Sequence, residues 1–145
     1  MTTPSLLDPV RGVFRAVATT VVPECHALND NEWAELEGIV EAGLASRPAA
    51  LQRQLVTFLR AIELLPVFRY AVRFQRLDAT RRERVLTGLQ NSRVFTLRRG
   101  MWGLRTLVFM GYYARPAAAS AIGYRASPAG WAARRLPNDS SPTPA

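Results

Sequence analysis

The chain has 145 residues, 48% of them hydrophobic, which is the length and composition of one globular domain with its own core. All 19 basic residues are arginine, and they outnumber 11 acidic residues, so the formal net charge is +8. One cysteine and one histidine exclude an internal disulfide framework, a four-cysteine zinc site and an iron–sulfur cluster.

Hydrophobic periodicity predicts helices along most of the chain. Apolar residues recur every three or four positions in 10–21, which indicates an amphipathic helix, and Pro23 ends it. Asn29 or Asp30 then suits the N-cap of a second helix, whose buried stripe runs through 33–44. These first elements already favour an all-α fold.

The second helix also carries acidic residues, and a third helix follows it. The acidic side of the second helix is predicted to be a solvated face formed by Glu35, Glu37 and Glu41. Pro48 suits the first turn of the third helix. The stripe that this helix is expected to bury consists of Leu51, Leu55, Phe58, Leu59 and Ile62.

The C-terminal half continues the helical pattern. A short amphipathic helix is predicted over 67–74, and Asp78 is predicted to cap a helix over 79–90. A longer helix over 93–114 is apolar around most of its circumference, and a short turn over 117–122 follows it.

These elements predict a compact all-α bundle of five or six helices. We expect one helical accessory domain over residues 1–136. Residues 137–145 are rich in Pro, Ser and Thr, so we expect a disordered tail there. The N-terminus has no charged stretch followed by an apolar core, so we expect no secretory signal.

The charge is distributed unevenly along the chain. Residues 1–63 hold five arginines and eight acids, whereas residues 64–145 hold fourteen arginines and three acids. The C-terminal half is therefore expected to face an acidic or polyanionic partner, or a protein that buries guanidinium groups.

The sequence contains no convincing catalytic constellation. Cys25 and His26 are adjacent, and neighbouring residues point in different directions on most backbones, so we interpret them as a loop or core feature. No Gly-x-Gly-x-x-Gly or Walker loop is present, so we expect no nucleotide cradle in this chain.

The aromatic stretch 101–113 predicts a helix with two apolar faces. Met101, Leu104 and Val108 recur on one face, and Trp102, Phe109 and Tyr113 recur on another. One face is expected to join the domain's own core. The other is expected to bind a second chain, since Tyr, Trp, Met and Arg are enriched at the centres of interfaces.

Several short motifs occur in a fixed order between residues 10 and 131. They are Phe14-Arg15-Ala16-Val17-Ala18 before Val21-Val22-Pro23, Arg81-Arg82-Glu83-Arg84-Val85-Leu86, Arg105 through Gly111-Tyr112-Tyr113, Ile122-Gly123-Tyr124 and Gly130-Trp131. Together they resemble the gluconate 2-dehydrogenase subunit 3 family of small helical subunits. A similar helical segment precedes the flavin domain of long-chain alcohol oxidases.

The resemblance implies a non-catalytic small subunit that assembles with a large subunit of the glucose–methanol–choline oxidoreductase type. It implies FAD in that partner, no cofactor, metal or catalytic residue in this chain, and a cytochrome or another electron acceptor as a further partner. The substrate would carry an alcohol group. Small subunits of this family often carry a twin-arginine export signal, which is not seen here. We therefore expect a cytoplasmic location or one at the inner membrane surface, with peripheral membrane contact.

The residues expected to bind the large subunit are Trp102, Arg105, Phe109, Tyr112, Tyr113, Tyr124 and Trp131. Burying Arg105 would require a carboxylate or several carbonyl groups on the partner. The alternative is a basic helical module that binds nucleic acid or an anionic membrane surface. Because the chain lacks lysine, arginine serves as its ordinary surface cation, and we expect no nucleic-acid partner.

Overall fold

The computed structural model of the chain describes residues 4–121, which form helices and 3-10 turns without a strand. In chain order the α-helices are α1 (Arg11–Val21), α2 (Asp30–Ala45), α3 (Ala49–Leu64), α4 (Val67–Tyr70), α5 (Ala79–Gln90), α6 (Phe95–Tyr113) and α7 (Pro116–Ala121). Five of them have eleven or more residues, so the predicted all-α bundle is confirmed over this range. The tail predicted over 137–145 lies outside the described residues.

Polar side chains cap the N-termini of two of these helices. Asn29 Oδ1 accepts a hydrogen bond from Glu32 N (2.9 Å), and Glu32 Oε2 accepts one from Asn29 N (2.8 Å), which forms a capping box for α2. Asp78 Oδ1 accepts a hydrogen bond from Arg81 N (2.8 Å) and caps α5 as predicted. Of the two caps considered for α2, the structure therefore selects Asn29.

Helices α1 and α6 each contact at least three other helices of the bundle. Helix α6 packs against α2 and α5 and also touches α3, while α1 packs against α3, α5 and α6. The predicted stripe of α1 is buried except at Val21, which is half-buried. The predicted stripe of α2, which consists of Trp33, Leu36, Val40 and Leu44, is buried throughout. Within residues 4–121, no helix has both the length and the apolar composition that crossing a bilayer requires.

The buried stripe predicted for α3 is wrong at Leu51, which is exposed. Leu59 and Ile62 are buried, and Leu55 and Phe58 are half-buried and pack against the core. Because the buried side chains of α3 all lie in its C-terminal half, that half makes the main contact with the rest of the bundle.

The short helix predicted over 67–74 ends earlier, at Tyr70. Ala71 has a φ of 58°, in the left-handed region, and its N–H donates to Val67 O (3.0 Å), which closes the last turn. Phe74 belongs to a separate 3-10 turn and is fully buried. Hydrophobic periodicity could not predict this end, because alanine rarely adopts a positive φ.

The acidic side of α2 is not the solvated face that the sequence predicts. Glu35 is exposed, but Glu37 is only 6% exposed. The two carboxylate oxygens of Glu37 accept hydrogen bonds from Arg11 Nε (3.0 Å) and Arg15 Nε (2.6 Å) on α1. The prediction fails because α1 carries two arginines at a spacing of one helical turn, and both reach the same carboxylate.

Glu41 is the second exception to the predicted solvated face. Its carboxylate is half-buried and accepts hydrogen bonds from Ser5 Oγ and from Leu7 N (3.2 Å). These contacts hold the segment before α1 against α2, where Leu7 is fully buried. The acidic residues of α2 thus tie the N-terminal segment to the bundle.

Glycines allow α6 to approach its neighbours closely. A Cβ atom on Gly111 would lie 2.7 Å from Val40 Cγ2 and 3.1 Å from Leu36 Cδ2, and both of those side chains are buried on α2. A Cβ atom on Gly100 would lie 3.0 Å from Phe58 Cε2 on α3. The spacing between α6 and these two helices therefore depends on the absence of side chains at positions 100 and 111.

We expect Gly111→Ala and Gly103→Ala to change stability in opposite directions. The new methyl group at 111 must displace Val40 in a packed core, which costs about 1–3 kcal/mol. A Cβ at Gly103 meets nothing within 4 Å, so that substitution gains about 1 kcal/mol of helix propensity. Urea denaturation followed by circular dichroism measures both free energies of unfolding. A stabilised Gly111→Ala variant would contradict the close approach of α6 to α2.

We expect Glu37→Gln to lower the free energy of unfolding by about 1–2 kcal/mol, because a charged acceptor shared by two arginines is lost. Both arginines remain partly hydrated, so the loss is smaller than for a fully buried ion pair. The exposed Glu35→Gln is the matched control on the same helix, and its effect stays within about 0.5 kcal/mol. Equal effects of the two substitutions in urea denaturation would contradict the assigned role of Glu37.

Candidate partner-binding surface

One apolar face of α6 belongs to the core, as predicted. Met101, Leu104 and Val108 are buried there, in phase with the close approach at Gly111. The side chains of this face fill the space between α6 and its neighbours. They are therefore not available to a second chain.

The opposite face of α6 carries an aromatic stripe at seven-residue spacing. Its first two members, Phe95 and Trp102, are 62% and 53% exposed, while Phe109 and Tyr113 are half-buried. A helix completes nearly two turns in seven residues, so the first three stand above one another along the helix. We call these four residues the α6 aromatic stripe. Two exposed apolar side chains, Val94 and Met110, lie beside it in the sequence.

Phe95 is a member of this stripe that the sequence analysis did not select. It lies seven residues before Trp102, the same spacing that relates Trp102 to Phe109. That spacing was visible in the sequence, but the predicted set began at Trp102. The structure extends the candidate surface to the first turn of α6.

Two arginines lie against the stripe from within the same helix. The Arg98 guanidinium lies 5.6 Å from the centre of the Phe95 ring, and the Arg105 guanidinium lies 5.4 Å from the centre of the Phe109 ring. Arg105 is half-buried, and its Nη1 donates to Gln90 Oε1 on α5 (3.1 Å). Arg105 thus already has an acceptor in its own chain, whereas the sequence analysis looked to the partner for one.

The C-terminal end of the stripe is a small aromatic cluster. The Phe109 and Tyr113 rings are stacked with centroids 6.0 Å apart, and the Tyr112 and Tyr113 rings meet edge to face at 5.0 Å. Of the predicted partner-binding residues, the structure therefore gathers five on α6. The other two, Tyr124 and Trp131, lie outside the described residues.

Arg115 is a buried charged residue just beyond the predicted end of the helix over 93–114. It is 3% exposed; its guanidinium lies 4.8 Å from the centre of the Tyr112 ring, and its Nε donates to Tyr112 O (3.3 Å). Its Nη1 lies 3.9 Å from Glu32 Oε1 and makes no hydrogen bond within residues 4–121. The signal was its position four residues after Gly111, in phase with the buried face of α6.

Cys25 and His26 point to different environments, as predicted. Cys25 is fully buried, whereas His26 is exposed on the 3-10 turn Pro23–Ala27. Burial raises the pKa of the Cys25 thiol from the ordinary 9.0 to about 11, although the positive charge of Arg115 opposes the shift. The thiol is therefore protonated at neutral pH and is a poor nucleophile.

The phenol of Tyr112 shares this environment. Burial is the main cause that raises its pKa above the ordinary value, and the Arg115 guanidinium again acts in the opposite direction.

Within residues 4–121, no three His, Cys, Asp or Glu side chains are grouped so that they could hold a metal ion.

The arginines of the C-terminal half have few acidic neighbours. Residues 64–121 contain eleven arginines and two acids, and one of these acids, Asp78, is the helix cap that also pairs with Arg81 (3.6 Å). No ion pair joins Arg98, Arg99 or Arg105 to a carboxylate of the described residues. The α6 aromatic stripe is thus flanked by positive charge.

Comparisons of the chain with models of known protein families, with curated proteins and with solved structures returned no match. Membership of the gluconate 2-dehydrogenase subunit 3 family therefore stays a prediction from the order of the sequence motifs.

We expect the buried Cys25 thiol to make the protein less stable between about pH 9 and pH 11. Below pH 9 the thiol is protonated in both states, so it adds no pH dependence. Above pH 9 the thiol ionises in the unfolded chain but stays protonated in the folded chain, because burial raises its pKa to about 11. The folded state then binds more protons, so the free energy of unfolding falls as pH rises. Urea denaturation at several pH values measures this fall, to which Tyr112 also contributes. A Cys25→Ala variant with the same slope as the unchanged chain would contradict the assignment.

Proposed function

We propose that this chain is a non-catalytic small subunit that assembles with and stabilises an FAD-dependent large subunit of the glucose–methanol–choline type. The large subunit binds FAD and oxidises an alcohol group of a sugar, polyol or long-chain alcohol. It passes the electrons to a cytochrome or another acceptor. The proposed location is the cytoplasm or the inner membrane surface. The family part of the proposal rests on the order of the sequence motifs.

The observation that carries the assembly role is the exposure of the α6 aromatic stripe. Exposed Phe95 and Trp102 stand one above the other with the Phe109–Tyr113 cluster beyond them. A row of exposed aromatic side chains along one helix face is typical of interaction sites. Trp and Tyr also dominate the binding energy of interfaces, because each combines a large apolar area with few rotatable bonds.

The arginines beside the stripe define the chemistry of the surface that would cover it. Arg98 and Arg105 lie over the aromatic rings, and Arg99 is exposed nearby. A complementary surface would be apolar at its centre and would carry carboxylates at its edge, where they can bind guanidinium groups through paired hydrogen bonds. Gln90 already satisfies one donor of Arg105, so the partner needs to approach only its remaining N–H groups.

The titratable side chains of the described region support a role in binding rather than catalysis. The one thiol, on Cys25, is buried and protonated, and His26 is exposed away from it. The two carboxylates that are most enclosed on α2, those of Glu37 and Glu41, are engaged by α1 and by the N-terminal segment. Under the proposal, redox chemistry belongs to the FAD of the large subunit, and this chain contributes an interface.

The test is coexpression of the tagged chain with a flavoprotein of the glucose–methanol–choline type, followed by purification through the tag. We expect the FAD absorption spectrum to copurify in stoichiometric amount and to persist at high salt, because the stripe is apolar. Trp102→Ser should weaken association by about 2 kcal/mol or more if Trp102 lies at the centre of the interface. Tyr113→Ala should also weaken it, since Tyr113 supports the aromatic cluster.

The control is Phe68→Ser, which removes an exposed aromatic ring that lies on α4 rather than on α6. Circular dichroism of each variant establishes that the helices are intact. Retention of full flavoprotein binding by the Trp102→Ser and Tyr113→Ala variants would contradict the proposed surface. Binding that falls steeply with salt, together with copurified nucleic acid, would favour the alternative of a basic nucleic-acid-binding module.

A further inference from the structure

A second apolar surface lies where α3 ends and α4 begins, away from the α6 aromatic stripe in the chain. Four hydrophobic side chains are exposed within five consecutive residues. They are Leu64 (51%), Leu65 (43%), Val67 (40%) and Phe68 (94%). We call these four residues the α3–α4 corner. A phenylalanine that is 94% exposed makes almost no contact with its own chain, so the fold gains nothing from burying it.

Backbone geometry holds this corner outward. Buried Pro66 separates α3 from α4, and the N–H groups of Arg69 and Tyr70 donate to Pro66 O at 3.1 Å and 2.7 Å. Ala71, with its positive φ, then ends α4 after one turn. Phe68 therefore lies in a short hydrogen-bonded turn that Ala71 ends, and its ring projects from the surface.

Positive charge surrounds the corner. Arg60, Arg69, Arg73 and Arg76 are all exposed, and none of them forms an ion pair within residues 4–121. Glu63 is the one acid in the segment 60–76. It is half-buried, and its Oε1 accepts a hydrogen bond from Gln75 Nε2 (3.0 Å). The four arginines and the one glutamate give the segment 60–76 a net charge of +3.

An open cleft adjoins the corner and brings the two kinds of side chain together. It has a volume of about 870 Å³, and Val67 lines it together with Arg73 and Arg76. Val67 is the member of the α3–α4 corner that lines this cleft, and Glu63 lines it as well, so apolar side chains and guanidinium groups meet there beside one carboxylate. That is the arrangement by which proteins bind the boundary between acyl chains and headgroups.

We propose that the α3–α4 corner docks the chain on an anionic lipid bilayer. Phe68 and its apolar neighbours enter the acyl region, and Arg69, Arg73 and Arg76 bind the headgroup phosphates. A bilayer accepts a single projecting ring without a preformed pocket, whereas a protein partner would need a socket shaped for it. The inference does not depend on the proposed function, because it uses none of the residues of the α6 aromatic stripe.

Electrostatics and burial both contribute to the expected affinity. Each arginine near an anionic leaflet strengthens binding about fivefold at moderate ionic strength. Insertion of the Phe68 ring strengthens it by at least about tenfold, since the whole side chain leaves water. Neither contribution holds a protein firmly by itself, so binding requires both anionic lipid and the intact corner.

The test is flotation of the full chain with lipid vesicles in a density gradient, which separates bound protein from aggregate. Vesicles of phosphatidylcholine mixed with anionic phosphatidylglycerol are compared with vesicles of pure phosphatidylcholine. We expect binding to the anionic vesicles and little to the neutral ones. Phe68→Ser should reduce the partition coefficient at least about tenfold, and Arg73→Gln with Arg76→Gln should reduce it by a similar factor or more.

Trp102→Ser is the matched control, because it removes an exposed aromatic ring from α6 and leaves the corner intact. It should float with anionic vesicles as the unchanged chain does. Equal losses for Phe68→Ser and Trp102→Ser would overturn the proposal in favour of unspecific adsorption, and so would equal binding to neutral vesicles. If Phe68→Ser instead abolishes flavoprotein binding and leaves flotation unchanged, the corner is a protein interface and the lipid proposal is wrong.

Discussion

The close approach of α6 to α2 at Gly111 is the contact on which the rest of the structure depends. With no side chain at that position, Val40 and Leu36 pack directly against the helix backbone. This contact fixes the rotation of α6 about its axis, because any other rotation would bring a side chain into the same space. Once the rotation is fixed, Met101, Leu104 and Val108 enter the core, and the aromatic stripe must face outward.

The two halves of the chain differ in how their charged side chains are paired. Near the N-terminus, the carboxylates of α2 meet partners inside the molecule: Glu37 binds Arg11 and Arg15, and Glu41 binds the segment before α1. Among the described arginines of the C-terminal half, Arg81 and Arg115 form ion pairs and the others do not, so most of that charge is directed to the surroundings.

The two exposed apolar surfaces differ in shape, and this favours different occupants. The α6 aromatic stripe is long and follows a regular helix, and its far end is supported by the stacked rings of Phe109 and Tyr113. Such a ridge suits the groove of another protein. The α3–α4 corner is short and projecting, and Phe68 has almost no support from its own chain. A fluid bilayer tolerates that geometry better than a rigid protein surface does.

The helical fold is predictable from the amino-acid order alone, because short-range patterns specify it. Apolar spacing predicts the stripes of α1 and α2, and polar residues such as Asn29 and Asp78 predict where helices begin. It also predicted the two apolar faces of α6. Each of these features depends on residues within a few turns of one another, so one stretch of sequence contains the information.

Tertiary structure decided which side chains those patterns bury. The sequence predicts Glu37 on a solvated face, but two arginines of α1 lie beside it. Arg115 lies beyond the predicted end of α6, yet its guanidinium is buried against Tyr112. The left-handed Ala71 likewise ends α4 after one turn, which no spacing rule anticipates, and Phe68 in that turn is exposed. Burial is a property of contacts between distant segments, and periodicity within one segment does not specify those contacts.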